Sequence, residues 1–218
     1  MRKFFCPTNK ITKSKVCTHL GFKSLKFQIT KKYQVDEKLS DKFTAMKVLA
    51  SKPIYNKHGT IILEDTLEFA DGTTYDYVYF KSGGTVAIAA FTENNKMILT
   101  KQYRHPLKKI VYDMPGGAIE NGEKPSQAAL RELEEETGFT AEKLEWIGSF
   151  SRGPSSQAIV DIFFARVKQK SSKVDANEIA GIEIVDFNLL IKRILEGECF
   201  DAALVVAALL VLTKKLLE

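Results

Sequence analysis

The amino-acid sequence predicts an α+β fold built on a mixed sheet, and three observations carry that expectation. Residues 60 to 103 alternate β-branched or aromatic residues with polar ones between turn-forming clusters, residues 125 to 137 show helical periodicity with start and stop signals, and residues 188 to 218 read as two further helices. With 44% apolar and 27% charged residues in a chain of 218, there is material for one sizeable core, and a fibrous or wholly disordered chain is excluded.

Strands are expected at residues 60–68, 74–80, 85–91 and 96–103, separated by Asp71-Gly72, Ser82-Gly83-Gly84 and Glu93-Asn94-Asn95, whose Gly and Asn residues accept the backbone angles of tight turns. Then comes the helix at 125–137. Pro125 suits the first helical position, where no N–H is needed, and Gly138 suits the C-terminal stop. Three more strands follow at 144–150, 158–167 and 182–187. The chain closes with a helix at 188–196, ended by Gly197, and another from about Ala202, with Asp201 as N-cap and Lys214 and Lys215 complementing the dipole in its last turns. The longest apolar run, residues 202 to 212, is 11 residues, too short for a bilayer crossing, so no membrane partner is expected.

The formal net charge of +5 is unevenly placed. Residues 1–35 hold nine Lys or Arg and no acid, which leaves 23 basic against 27 acidic groups, a net of −4, on the remainder. A basic leader on an acidic body does not point to nucleic acid as the partner of that body. Residues 1–41 are therefore expected to be a basic N-terminal extension, or in a second reading an organellar (mitochondrial) targeting peptide, ahead of a folded domain at 42–218. Three cysteines, Cys6, Cys17 and Cys199, without a C-x-x-C pair support neither a disulfide framework nor a thiolate zinc site, and a reducing, cytoplasmic setting is the expectation.

The segment at 125–137 concentrates the chemistry. Advancing about 100° per residue from Glu132, Glu136 falls near +40° and Glu135 near −60°, so three carboxylates share one face; Ala129, Leu130, Leu133 and Thr137, between roughly +60° and +160°, form the stripe expected to pack on the sheet. Acids near a helix C-terminus oppose its dipole, and Glu132 and Glu136 repel at i, i+4, each effect costing about a few tenths of a kcal/mol or more. Arg131 can pair with Glu135, but one guanidinium cannot neutralise four carboxylates, whereas a bound divalent cation can. The oxygens are hard ligands and the three histidines, His19, His58 and His105, are scattered, so Mg²⁺ or Mn²⁺ fits better than zinc. Mg²⁺ retains waters and bridges to phosphates, which makes a phosphate ester or anhydride the expected substrate.

An acidic run is usually a solvated helix face, but here the wider spacing decides otherwise. The pattern G-x₅-E-x₇-R-E-U-x-E-E-x-G-U, with U aliphatic or aromatic, is filled at every position by Gly117, Glu123, Arg131, Glu132, Leu133, Glu135, Glu136, Gly138 and Phe139. At about 7% usage for each strict position and about one third for each U, chance gives on the order of 10⁻⁹ per starting point. The segment resembles the signature of the Nudix hydrolase superfamily without a departure. That resemblance implies a Nudix-type α/β/α sandwich, cleavage of a nucleoside diphosphate linked to another moiety, and dependence on a divalent metal. It also implies that Glu132, Glu135 and Glu136 are metal ligands, Arg131 their orienting partner and Glu123 an outer member of the acidic cluster.

The flanks narrow the branch. Residues 47–91, K-Q-Y-R-H-P at 101–106 and D-M-P-G-G at 113–117 are similar to ADP-ribose pyrophosphatases and related nucleotide-sugar hydrolases, a resemblance covering roughly residues 45 to 212. In that branch E-x-P-A-G precedes the motif; Asp113 and Gly116 replace its Glu and Ala. The carbonyl at the Ala position is a metal ligand in family members, and Gly116 supplies the same atom on a looser backbone. Gly117, and Pro154 about where the branch carries a proline, are expected beside the substrate. Arg104 resembles the arginine of the branch's Q-Y-R stretch and is expected on a phosphate or the distal ribose. Members often form homodimers in which an N-terminal β-region, here residues 45–81, reaches the partner's site and an aromatic stacks on adenine; Tyr55, Tyr75, Tyr77 and Phe80 are candidates, each equally a packing residue.

The implied reaction is a metal-assisted displacement at phosphorus, in which a further carboxylate activates the water. In this branch that base comes from a loop beyond the motif, and Glu178, with Asp175 and Glu183 as neighbours, is the assignment. ADP-ribose, cleaved to AMP and ribose 5-phosphate, is the leading nucleoside diphosphate sugar. GDP-mannose, a UDP-sugar or NADH, a non-catalytic nucleotide-binding Nudix module, and RNA binding through the basic leader are the alternatives.

Overall fold

One strand, T-V-A-I-A-A-F at Thr85–Phe91, is apolar on both faces, so it must lie inside a sheet covered on both sides. In the computed structural model, which describes residues 46–169, 180–198 and 200–218, it does. The described strands are β1 (Lys47–Lys57), β2 (Thr60–Glu68), β3 (Thr74–Lys81), β4 (Thr85–Phe91), β5 (Lys96–Arg104), β6 (Lys109–Asp113), β7 (Phe139–Ser151), β8 (Ile159–Gln169) and β9 (Gly181–Asp186). The helices are α1 (Pro125–Thr137), α2 (Phe187–Leu195) and α3 (Ala202–Thr213). No described helix is long and apolar enough to cross a membrane. The leader, Glu178, Asp175 and Cys199 lie outside the described residues.

The larger sheet runs β6-β5-β4-β8-β7, with β9 paired to β5. The β4–β8 pair is parallel and the others are antiparallel, giving the expected mixed sheet. Val86, Ile88 and Ala90 of β4 pack with Ala128, Ala129 and Leu133 of α1, while Ala87, Ala89 and Phe91 pack with Leu190 of α2 and Leu204, Ala207 and Val211 of α3. The result is the α/β/α sandwich that the resemblance implies. Burial at this density makes truncation costly: Leu133 is fully buried, and shortening it to alanine costs about 2–5 kcal/mol.

Two strands, β1 and β6, were not among those expected individually, and several boundaries move. Phe187 opens α2 instead of closing β9, because the Asp186 carboxylate accepts from the Asn188 and Leu189 N–H groups at 2.9 and 3.1 Å and starts the helix there. Asp201 caps α3 as expected, accepting from the Ala203 N–H at 2.8 Å. Helix α3 ends at Thr213, so Lys214 is its C-cap and Lys215, at φ 55°, has already left it.

The feature that places the site is a split in the large sheet. Strands β4 and β5 pair only at Phe91 and Met97 before diverging. The chain leaving β6 enters the gap, where the Pro115 carbonyl accepts from Ile88 N–H at 2.8 Å and the Gly117 carbonyl from Val86 N–H at 2.9 Å. Strands β1, β2 and β3 form a separate antiparallel sheet. β3 is stitched to the loop after β7, since Phe80 N–H donates to the Ser155 carbonyl at 2.9 Å and the Phe80 carbonyl accepts from Gln157 N–H at 3.2 Å.

Candidate active site

Helix α1 begins as its sequence requires. Pro125 occupies the first turn, the Gln127 side chain accepts from Lys124 N–H at 2.9 Å, and Gly138 at φ 71° ends the helix, its N–H donating to the Glu134 carbonyl. The buried side is Ala128, Ala129, Leu133, Glu136 and Thr137. Leu130, expected in the packing stripe, is 44% exposed. On a 3.6-residue wheel the centre of the buried arc is therefore turned by roughly 60° toward Ala128, and Glu136 sits near that centre, not at the border. A carboxylate tolerates that position because it is satisfied: Glu136, 3% exposed, accepts from Gln102 Nε2 at 3.3 Å and from Gly116 N–H at 2.9 Å.

Arg131 organises the opposite side. Its guanidinium donates to both Glu123 oxygens at 3.1 and 3.0 Å, to Glu132 Oε1 at 2.7 Å, to Glu135 Oε2 at 3.2 Å and to the Ala118 carbonyl at 3.0 Å. The Arg131 hydrogen bond, reinforced by Glu120 N–H, holds the Glu123 carboxyl below its ordinary range, and the bond to Glu123 correspondingly raises the Arg131 pKa. The loop from Gly117 to Glu123 is thereby tied to the helix it precedes.

Glycines bring the backbone close to these acids. A Cβ on Gly117 would overlap the Glu132 carboxylate, and one on Gly116 would overlap the Val86 carbonyl oxygen and lie 2.9 Å from Ala87 Cα. Glu132 and Glu136, one turn apart, thus converge on the 116–117 backbone. Glu135 points outward, its side chain 55% exposed, with Arg131 as its ion-pair partner. Among the described residues no three acids or imidazoles form a ready-made metal cage. The donors nonetheless suit a hard divalent cation: carboxylate oxygens on one helix face beside a backbone that has been kept free of side chains.

Next to this convergence lies a cavity of about 240 Å³ whose lining includes Gly116, Gly117 and five charged groups: Arg104, Asp113, Glu136, Arg152 and Asp201. Asp113, largely buried, is ion-paired with Arg104 and accepts from Met114 N–H at 2.8 Å. Burial, followed by the nearby Asp201 carboxylate, pushes the Asp113 carboxyl above its ordinary value against the opposing pull of Met114 and Arg104. Arg104 therefore lines the cavity, already bound to the residue that replaces the glutamate of E-x-P-A-G.

Pro154 is not on that lining; its carbonyl accepts from the Tyr77 hydroxyl, and Arg152, two residues earlier, faces the cavity instead. Glu183 is held by Lys101 and Arg193, each at 3.2 Å. Tyr55, Tyr75 and Phe80 are exposed on the smaller sheet. Sequence reasoning missed Gln102, Asp201 and Arg152 as members of the site. Asp201 was legible only as a helix cap, and Gln102 stood unremarked beside Arg104 in the Q-Y-R stretch.

A NUDIX domain matches residues 81–203. The chain is 33% identical to the ADP-ribose pyrophosphatase of Bacillus subtilis (strain 168) over 160 residues, covering 72% of this chain and 86% of that protein. It is 31% identical to the methanol dehydrogenase activator of Bacillus methanolicus over 165 residues, covering 74% and 89%. Its fold is similar to a crystal structure of an ADP compounds hydrolase, with a TM-score of 0.67 and 24% identity over 76% of this chain and 91% of that one. With the full acidic motif mounted on an α/β/α sandwich and relatives spanning most of its length, the chain belongs to the NUDIX family, in its ADP-ribose pyrophosphatase branch.

Proposed function

We propose that this Nudix pyrophosphatase hydrolyses the diphosphate linkage of ADP-ribose to give AMP and ribose 5-phosphate. The observation that carries the reading is the convergence of Glu132 and Glu136 on the Gly116–Gly117 backbone at the edge of the charged cavity. Nudix hydrolases use divalent cations; on this chain the Glu132, Glu135 and Glu136 oxygens and the Gly116 carbonyl would hold the ion, with Mg²⁺ or Mn²⁺ favoured over zinc by the hard donor set. When bound, such an ion neutralises phosphate charge and acidifies water. Arg131 orients Glu132 and Glu135 through its hydrogen bonds, Gly117, whose missing side chain leaves room for the Glu132 carboxylate, borders the diphosphate, and the free donors of Arg104 contact that group. Pro154 shapes the loop beside the cavity, and Glu178 is the general base. Glu178→Gln should lower kcat by about 10²-fold with an unchanged melting temperature; near-normal turnover would remove it from the mechanism.

The smaller sheet supports a homodimer. Its outer strand β1 is exposed along its length, and Val48, Ile54, Tyr75, Val78 and Phe80 present apolar surface that nothing among the described residues covers. Sedimentation at micromolar concentration tests this, a monomer at all concentrations being the contrary result.

The relative described as a methanol dehydrogenase activator favours a second reading, in which the chain acts on another enzyme, and the complete carboxylate set weighs toward catalysis. A panel of ADP-ribose, GDP-mannose, UDP-glucose and NADH with Mg²⁺, products resolved, tests the substrate assignment. ADP-ribose should show the highest kcat/KM and release AMP. Turnover of none of them would leave the binding or regulatory module as the better account.

A further inference from the structure

We propose that Arg152 binds a phosphate oxygen of the substrate, through a guanidinium that lines the cavity without a side-chain partner among the described residues. The inference deepens the hydrolase reading and rests on it. Of the charged side chains on the cavity wall, four already have protein partners. Arg104 and Asp113 neutralise each other, Glu136 is held by Gln102 and Gly116, and Asp201 accepts from the first turn of α3. The Arg152 guanidinium, by contrast, has no hydrogen bond or ion pair with any described residue while lining the same space.

Its loop is held firmly. Arg152 N–H donates to the Ala158 carbonyl at 3.2 Å, Gly153 N–H to Ser151 Oγ at 3.2 Å, and Ser155 and Gln157 are bonded to Phe80. The guanidinium is thus carried on an anchored backbone at a cavity also lined by two carboxylates, Glu136 and Asp201, that by themselves would repel a dianionic diphosphate. A planar cation with several donors free suits two oxygens of one phosphate. The exposed position of Arg152 makes its replacement a clean probe of binding.

The test is steady-state kinetics of Arg152→Ala, Arg152→Lys and Arg152→Glu on ADP-ribose with saturating Mg²⁺, melting temperatures being checked first. Loss of a charge-assisted contact should raise KM about 10- to 100-fold in the alanine variant while kcat changes less. Lysine should restore part of the loss, glutamate should exceed alanine, and KM of the alanine variant should depend less on ionic strength than that of wild type. A folded alanine variant with wild-type KM, or a glutamate variant no worse than alanine, overturns the assignment of Arg152. If instead wild type itself cleaves no diphosphate, the hydrolase reading fails, an outcome distinct from either.

Discussion

At one end of the acidic site Arg131 gathers Glu123, Glu132, Glu135 and the Ala118 carbonyl; at the other, Glu136 lies buried against Gln102 and the Gly116 N–H. The first is a fork of charge-assisted bonds near solvent, where losing one partner leaves several others. The second is a single carboxylate in the middle of a packed face, where nothing substitutes for it. One helix therefore carries both the fastening of a loop and a buried carboxylate, and the two separate by experiment.

The largest effect belongs to the buried end. Glu136→Gln keeps an oxygen to accept from Gly116 N–H but removes the charge, so Mg²⁺-dependent hydrolysis should fall by about 10³-fold while the melting temperature stays close to wild type. Retained turnover would erase the contrast between the ends. A smaller but still large effect is expected from Gly116→Ala, which places a methyl group against the Val86 carbonyl; the strand must shift, costing about 1–3 kcal/mol of stability and lowering kcat with it. An alanine variant with wild-type thermal stability would show that the chain leaving β6 is not as closely seated as described.

The smallest effect lies at the fastened end. Glu123→Gln should lower the melting temperature modestly at neutral pH. Because Arg131 holds the Glu123 carboxyl below its usual 4.5, the native state favours its ionised form, and the stabilisation is complete above that unfolded value and disappears as pH falls through the lowered one. Melting curves of the two proteins should therefore differ at pH 7 and converge in acid. A difference that persists under acid conditions would mean that Glu123 acts through packing and not through charge.

Much of this is legible in the amino-acid sequence. Pro125 and Gly138 bound α1 because both act locally, through a missing N–H and a tolerated left-handed backbone, and the Asp201 cap is local in the same way. The motif spacing named the acids. What the chain did not disclose depends on partners distant in sequence. β6 is a strand because β5 offers it an edge, the helix is rotated because Gln102 and Gly116 can satisfy Glu136, and Arg152 joins Arg104 only after β7 has crossed the sheet. Leu130 lies outside the packed face for that reason: hydrophobicity alone cannot tell a wheel which side has a polar partner waiting.

Phe80 exchanges both of its main-chain polar groups with the loop that bears Arg152. Any shift of β3 in the three-stranded sheet is therefore passed, through two main-chain hydrogen bonds, to the loop that lines the cavity with Arg152.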